Sequence, residues 1–122
     1  MLIYPVVDCS MRTESMAKFN DTPMWNRELN QKMWKYYLQE TTEESLLDLS
    51  EKELRKMPDT YIETAEFDCL RDEGNDLAMM LRNAGVATTY IQTEGTMHGF
   101  DMAQRSELTQ QQIKERCKWL RD

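Results

Sequence analysis

The sequence predicts an α/β fold of three parallel strands flanked by helices, and three observations carry that expectation. Residues 2–7 are continuously apolar apart from the tyrosine hydroxyl, the composition of a strand covered on both faces. Residues 60–67 form a second apolar-rich run that stops at Asp68 and hands over to a helical pattern. A third run, 86–92, follows that helix. Strands alternating with helices are joined by crossovers, and crossovers make neighbouring strands parallel.

Taken in order, the elements justify themselves from local chemistry. Pro5 removes one ladder donor, so it belongs where no N–H is needed or near an edge. Residues 8–22 are polar without periodicity and read as a loop. Thr22-Pro23 then offers an N-cap followed by proline, which predicts a helix over 23–39. Its stripe of Leu29, Met33, Tyr36 and Tyr37, broadened by Trp25 and Trp34, is expected to pack into the core. Residues 43–57 carry Leu46, Leu47, Leu49 and Leu54 among charges and predict short helical turns, closed by Pro58-Asp59. In the next helix Leu77, Ala78, Leu81 and Ala84 share one face, Asp72 and Glu73 stand at its positive end, and Gly85 is the natural residue past its C-terminus. The third strand puts Val86, Thr88, Tyr90 and Gln92 on one face and Ala87, Thr89 and Ile91 on the other, the pattern of a half-exposed edge. Thr109 to Gln112 has the form of a capping box, after which Ile113, Cys117 and Leu120 line one face of a closing helix.

The chain has 122 residues, enough for one domain. A net charge of −7 without a basic cluster argues against nucleic acid or an anionic membrane as partner. No stretch approaches the roughly 18 apolar residues of a membrane span, and there is no basic leader, so the expected location is cytoplasmic. Cys9, Cys69 and Cys117 have neither a metal-binding spacing nor an even count, which fits thiols in a reducing compartment. Ten methionines read as fillers of irregular core gaps. No Gly-rich phosphate loop is present, which counts against a nucleotide-binding domain, and no cofactor is expected.

Chemistry concentrates at two positions. In a parallel sheet the C-terminal ends of all strands share one edge, so Asp68 after the second strand and His98 after the third can meet. A histidine base needs one nitrogen for the proton it accepts and the other held by a carboxylate. Spacing alone equally allows Asp68 to cap its turn and His98 to be an ordinary loop residue. Asp72 and Glu73 could be metal ligands, but helix-start electrostatics explains them more cheaply, and no metal site is expected. Ser10 has no flanking glycine to make a nucleophile turn. Cys69 adjoins an acid, which disfavours a thiolate, and reads as packing.

The segments Glu66-Phe67-Asp68-Cys69-Leu70-Arg71-Asp72-Glu73-Gly74, Asn83-Ala84-Gly85-Val86 and Gly95-Thr96-Met97-His98-Gly99-Phe100 occur in order across most of the chain. Together they resemble the last third of an α/β-hydrolase of the hormone-sensitive-lipase-like esterase/lipase family. The resemblance implies that Asp68 is the triad acid and His98 the base. It also implies that Leu2-Ile3-Tyr4-Pro5-Val6-Val7-Asp8 is the sixth strand of that fold, so the three strands are the C-terminal portion of its sheet. Where the family often has Ser-Pro, this chain has Ser45-Leu46. No Gly-x-Ser-x-Gly elbow and no His-Gly-Gly oxyanion loop is present among residues 1–122. The expectation is therefore a single-domain C-terminal fragment of a carboxylic-ester hydrolase, inactive alone, whose complete form would act on a small ester. The alternative is a non-catalytic remnant or oligomerising interaction module. Self-association, through an exposed first strand or helix 23–39, is expected in either case.

Overall fold

A computed structural model describes residues 1–39 and 45–121. Strands β1 (Leu2–Ile3), β2 (Thr60–Phe67) and β3 (Thr88–Met97) form one parallel sheet in the order β1-β2-β3. Helices α1 (Glu14–Lys18), α2 (Arg27–Leu38) and α3 (Glu51–Leu54) lie between β1 and β2. Helix α4 (Arg71–Asn83) crosses from β2 to β3, and α5 (Glu107–Trp119) closes the chain. Single 3-10 turns occupy Leu46–Asp48 and Phe100–Met102. The expected α/β class is what forms.

β2 is the centre of the fold. Thr60 to Ala65 are all buried, as a parallel strand covered on both faces must be. Ile62 joins Leu77, Ala78 and Leu81 of α4 in one core, while Tyr61 and Glu63 point to the opposite face, under α5. A second cluster around Tyr4, Met16, Phe19, Ala65, Cys69 and Leu70 lies toward the strands' C-terminal ends.

The first strand is shorter than its apolar run. Tyr4 takes a positive φ of 48°, which turns the chain out of the sheet after Ile3, and Pro5 has no N–H to resume the ladder. Tyr4 still donates one bond to the Glu63 carbonyl at 2.9 Å. The third strand starts two residues late because the Val86 N–H is engaged with the Leu81 carbonyl and Gly85, at φ 84°, donates to Arg82. That pair of bonds is the Schellman closure of α4.

Helices α2 and α5 depart most from expectation. The Thr22 hydroxyl donates to the Trp25 carbonyl at 2.7 Å, closing a turn, and Asn26 becomes the cap of a helix beginning at Arg27. Leu29, Tyr36 and Tyr37 are exposed, and the fully buried residue of α2 is Asn30. Periodicity located a stripe but not the surface it faces. α2 thus begins later than expected, whereas α5 begins earlier, after Ser106. It buries Thr109 and Gln112 and leaves Ile113, Cys117 and Leu120 exposed, because a carboxylate on the sheet below it demands polar partners.

α4 sits so close to the sheet that a Cβ at Gly74 would lie 2.5 Å from Thr64 Cγ2 and 3.4 Å from Pro5 Cγ. Thr64 is stiff at χ1 and held to the Tyr90 hydroxyl at 3.0 Å, so it has little room to yield. Overpacking costs roughly 1–3 kcal/mol, more than the ~1 kcal/mol that alanine gains over glycine inside a helix. Gly74→Ala is therefore expected to lower the urea midpoint, and a raised midpoint would show that α4 stands off the sheet.

Candidate active site

Asp68 follows the last residue of β2 and His98 follows the last residue of β3. The strands do not bring them level by simple counting. Ala65 pairs with Thr93 but Phe67 pairs with Met97, so β3 takes four steps where β2 takes two. The surplus is absorbed in an irregularity at Thr93–Thr96, with Gly95 at φ 67°. Gly95 N–H donates to Glu66 Oε2 at 2.7 Å, and the Thr93 and Thr96 hydroxyls, 2.7 Å apart, bond to the carbonyls of Thr64 and Thr93. Residues 68 and 98 thereby become adjacent.

His98 Nδ1 lies 2.8 Å from Asp68 Oδ2, the contact expected from the strand ends. Asp68 is 1% exposed, and its other oxygen accepts the Leu70 N–H at 3.0 Å. The carboxylate is thus fixed from two sides while the histidine stays partly open, with 22% of its side chain exposed. Tyr4 packs at 4.8 Å between ring centroids and Trp25 stacks at 5.7 Å.

The turn that carries His98 is held from below. Arg116 of α5 bonds both oxygens of Glu63, at 2.6 and 3.0 Å, and reaches Asp101 of the turn at 2.7 Å. Tyr61 and Gln112 complete the satisfaction of Glu63 Oε2. The hydrogen bonds that Arg116 donates to Glu63, with the one it donates to Asp101, hold its guanidinium firmly in the charged form. The Tyr4 hydroxyl is buried without a well-formed hydrogen bond, and burial, reinforced by Asp101, pushes its ionisation up. None of Glu63, Asp101 and Arg116 stands out in the sequence. A glutamate in the middle of a strand's apolar run, between Ile62 and Ala65, is the available signal.

The other candidates have structural employment. Asp72 accepts the Ser15 N–H at 2.7 Å and Arg71 Nε at 2.8 Å. Ser10 donates its hydroxyl to Asp8 at 2.6 Å. Burial, with Asp68 next, pushes the Cys69 thiol up to about 12, so it is no thiolate at neutral pH. Glu73 corrects an expectation. It is fully buried, accepts the Val7 N–H at 2.8 Å, leaves Oε2 unpartnered, and burial pushes its carboxyl up to about 8. A helix end offers at most ~2 kcal/mol to a charge, whereas uncompensated burial costs several. Burial wins, and Glu73 is a neutral acid at pH 7. A cleft of about 530 Å³ between Cys9–Met11 and α2 touches neither Asp68 nor His98.

The family model described as the alpha/beta hydrolase fold matches residues 1–102. The chain belongs to the α/β-hydrolase family. A putative alpha/beta hydrolase, R526 of Acanthamoeba polyphaga mimivirus, is 31% identical over 109 residues, covering 82% of this chain and 30% of the viral protein. Among solved structures, a bacterial heroin esterase is 34% identical with a TM-score of 0.82, covering 93% of this chain and 38% of the esterase. A thermostable esterase from Pseudomonas putida ECU1011 is 28% identical with a TM-score of 0.86, at 93% and 38% coverage. This α/β-hydrolase chain thus spans about a third of the relatives it matches. No described helix is long and apolar enough to cross a membrane.

The raised Glu73 carboxyl fixes a pH dependence. The folded state holds a proton between about pH 4.5 and 8 that the unfolded state has released, so stability is complete below that window and falls as pH rises through it. The slope is about 1.4 kcal/mol per pH unit at its steepest. Glu73→Gln, which keeps an acceptor for Val7 and cannot ionise, is expected to flatten the decline in urea titrations from pH 5 to 8. A parallel decline in both proteins would rule out Glu73 as its source.

Proposed function

We propose that this chain is a C-terminal segment of a carboxylic-ester hydrolase, supplying the acid and base of a Ser-His-Asp mechanism. The supporting observation is the 2.8 Å contact between His98 Nδ1 and a buried Asp68. With the carboxylate holding the proton on Nδ1, the imidazole keeps the tautomer in which Nε2 can take a proton from a nucleophile. In the complete enzyme a serine would attack a small ester carbonyl, backbone N–H groups would hold the oxyanion, and His98 would activate the water that deacylates. Residues 1–122 contain no Gly-x-Ser-x-Gly elbow, so the nucleophile is not part of this chain's contribution. The chain alone is expected to hydrolyse a short-chain p-nitrophenyl ester no faster than buffer. Steady turnover that His98→Ala abolishes would overturn that assignment.

The rival reading, an oligomerising module, has its own support in Leu29, Tyr36 and Tyr37, exposed along α2, and in the edge position of β1. The bare edge is shorter than the sequence implies, since only Leu2 and Ile3 lie in the strand. We therefore assign self-association chiefly to α2, with a two-fold contact as its simplest closure. Light scattering at micromolar concentration is expected to give a dimer that Tyr36→Lys with Tyr37→Lys weakens; a monodisperse wild-type monomer would exclude it.

A further inference from the structure

The segment joining α1 to α2 sends one large side chain back to the site. Trp25 lies over His98 with ring planes 25° apart, while Tyr4 flanks the same imidazole at 44°. Its placement is built, not incidental. Trp25 Nε1 donates to Asn30 Oδ1 at 3.2 Å, and Asn30 is the one fully buried residue of α2. The remaining Asn30 group, Nδ2, reaches Met16 Sδ at 3.9 Å. Thr22 Oγ1 donates to the Trp25 carbonyl, and Asn26 Nδ2 donates to the Thr22 carbonyl at 3.3 Å. Burying an amide is costly unless it is bonded, and what this amide bonds is the indole.

We propose that Trp25, anchored by Asn30, is a positioning residue for His98, holding the imidazole in the orientation in which Nδ1 meets Asp68. The inference rests on the reading of Asp68 and His98 as an acid-base pair and adds the residues that orient it. A single hydrogen bond at Nδ1 fixes one point of the ring. The imidazole torsion is broad and roughly two-fold, so one bond does not by itself exclude rocking or a flipped ring. Aromatic neighbours at 4.8 and 5.7 Å, both within the range of favourable ring pairs, restrict that torsion. This gives α2 a task at the site: its one fully buried residue is polar and serves the tryptophan before it.

His98 is the sole histidine of the chain, so its imidazole resonances need no assignment by elimination. The test follows the Nδ1 proton of His98 by NMR in the whole 122-residue chain. In the wild type the proton is expected downfield and slow to exchange. Trp25→Leu, which keeps apolar bulk without a flat ring, should speed its exchange roughly five-fold, the worth of one aromatic pair. Trp25→Phe should retain most of the protection, and Asn30→Leu should lose part of it with the tryptophan still present. Backbone amides of α4 report whether each variant is folded. Should Trp25→Leu fail to fold, the Phe and Asn30→Leu variants carry the comparison, and wild-type exchange in Asn30→Leu then counts against the proposal. A folded Trp25→Leu chain with wild-type exchange overturns it outright. Asp68→Asn separates the two layers: loss of the protected proton there with none in Trp25→Leu refutes the positioning role alone, while no loss in Asp68→Asn refutes the acid-base pair beneath it.

Discussion

Glu63 stands in the central strand with no exposure, and a carboxylate in that position is tolerable only because Arg116 grips both of its oxygens. Removing one partner of such a pair leaves an uncompensated buried charge, at about 3–5 kcal/mol. The pair does more than balance itself. Through its third nitrogen Arg116 reaches Asp101, three residues beyond His98, so the sheet, the last helix and the histidine turn are tied at one guanidinium. The polar face of α5 follows from this demand. Gln112 and Arg116 are turned inward to meet Glu63, and the apolar residues Ile113 and Leu120 are left outside.

From that anchor the site is assembled by departures from regularity. A regular β3 would place His98 out of step with Asp68. The irregularity at Thr93–Thr96 supplies the missing offset, and buried threonine hydroxyls satisfy the backbone it disrupts. At β1 the left-handed Tyr4 costs of order 1–3 kcal/mol in backbone strain, and it delivers the tyrosine ring to the face of His98. Both distortions concentrate at the C-terminal edge of the sheet, where ligands of open α/β sheets bind.

The strand–helix–strand core was legible because its signals are local. The apolar run ending at Asp68, the 77, 78, 81 and 84 face, and glycine at 85 each specify their own stretch of chain. That residues 68 and 98 can meet was legible because strand ends in a parallel sheet share an edge, while their reading as acid and base rested on the family resemblance. What was not legible depends on pairing across distance. Nothing within α2 distinguishes Leu29, which is exposed, from a core leucine, or shows that Asn30 will be the buried residue. Nothing near Arg116 announces a partner 53 residues earlier. Such positions are set by the surface an element lands on, which periodicity does not contain.

Glu73 shows how this affects chemistry as well as packing. By sequence it is an acid in the first turn of a helix, where the dipole favours negative charge. In the fold it lies under the first strand's exit with one oxygen unpartnered, close enough to Asp8 and Asp68 for each to disfavour its ionisation after burial has done so first. With its carboxyl raised to about 8, Glu73 is neutral at pH 7. Two acids five residues apart thus divide their tasks by environment: Asp68 is turned toward the histidine, and Glu73 is kept uncharged and binds the backbone at Val7, past the end of the neighbouring strand.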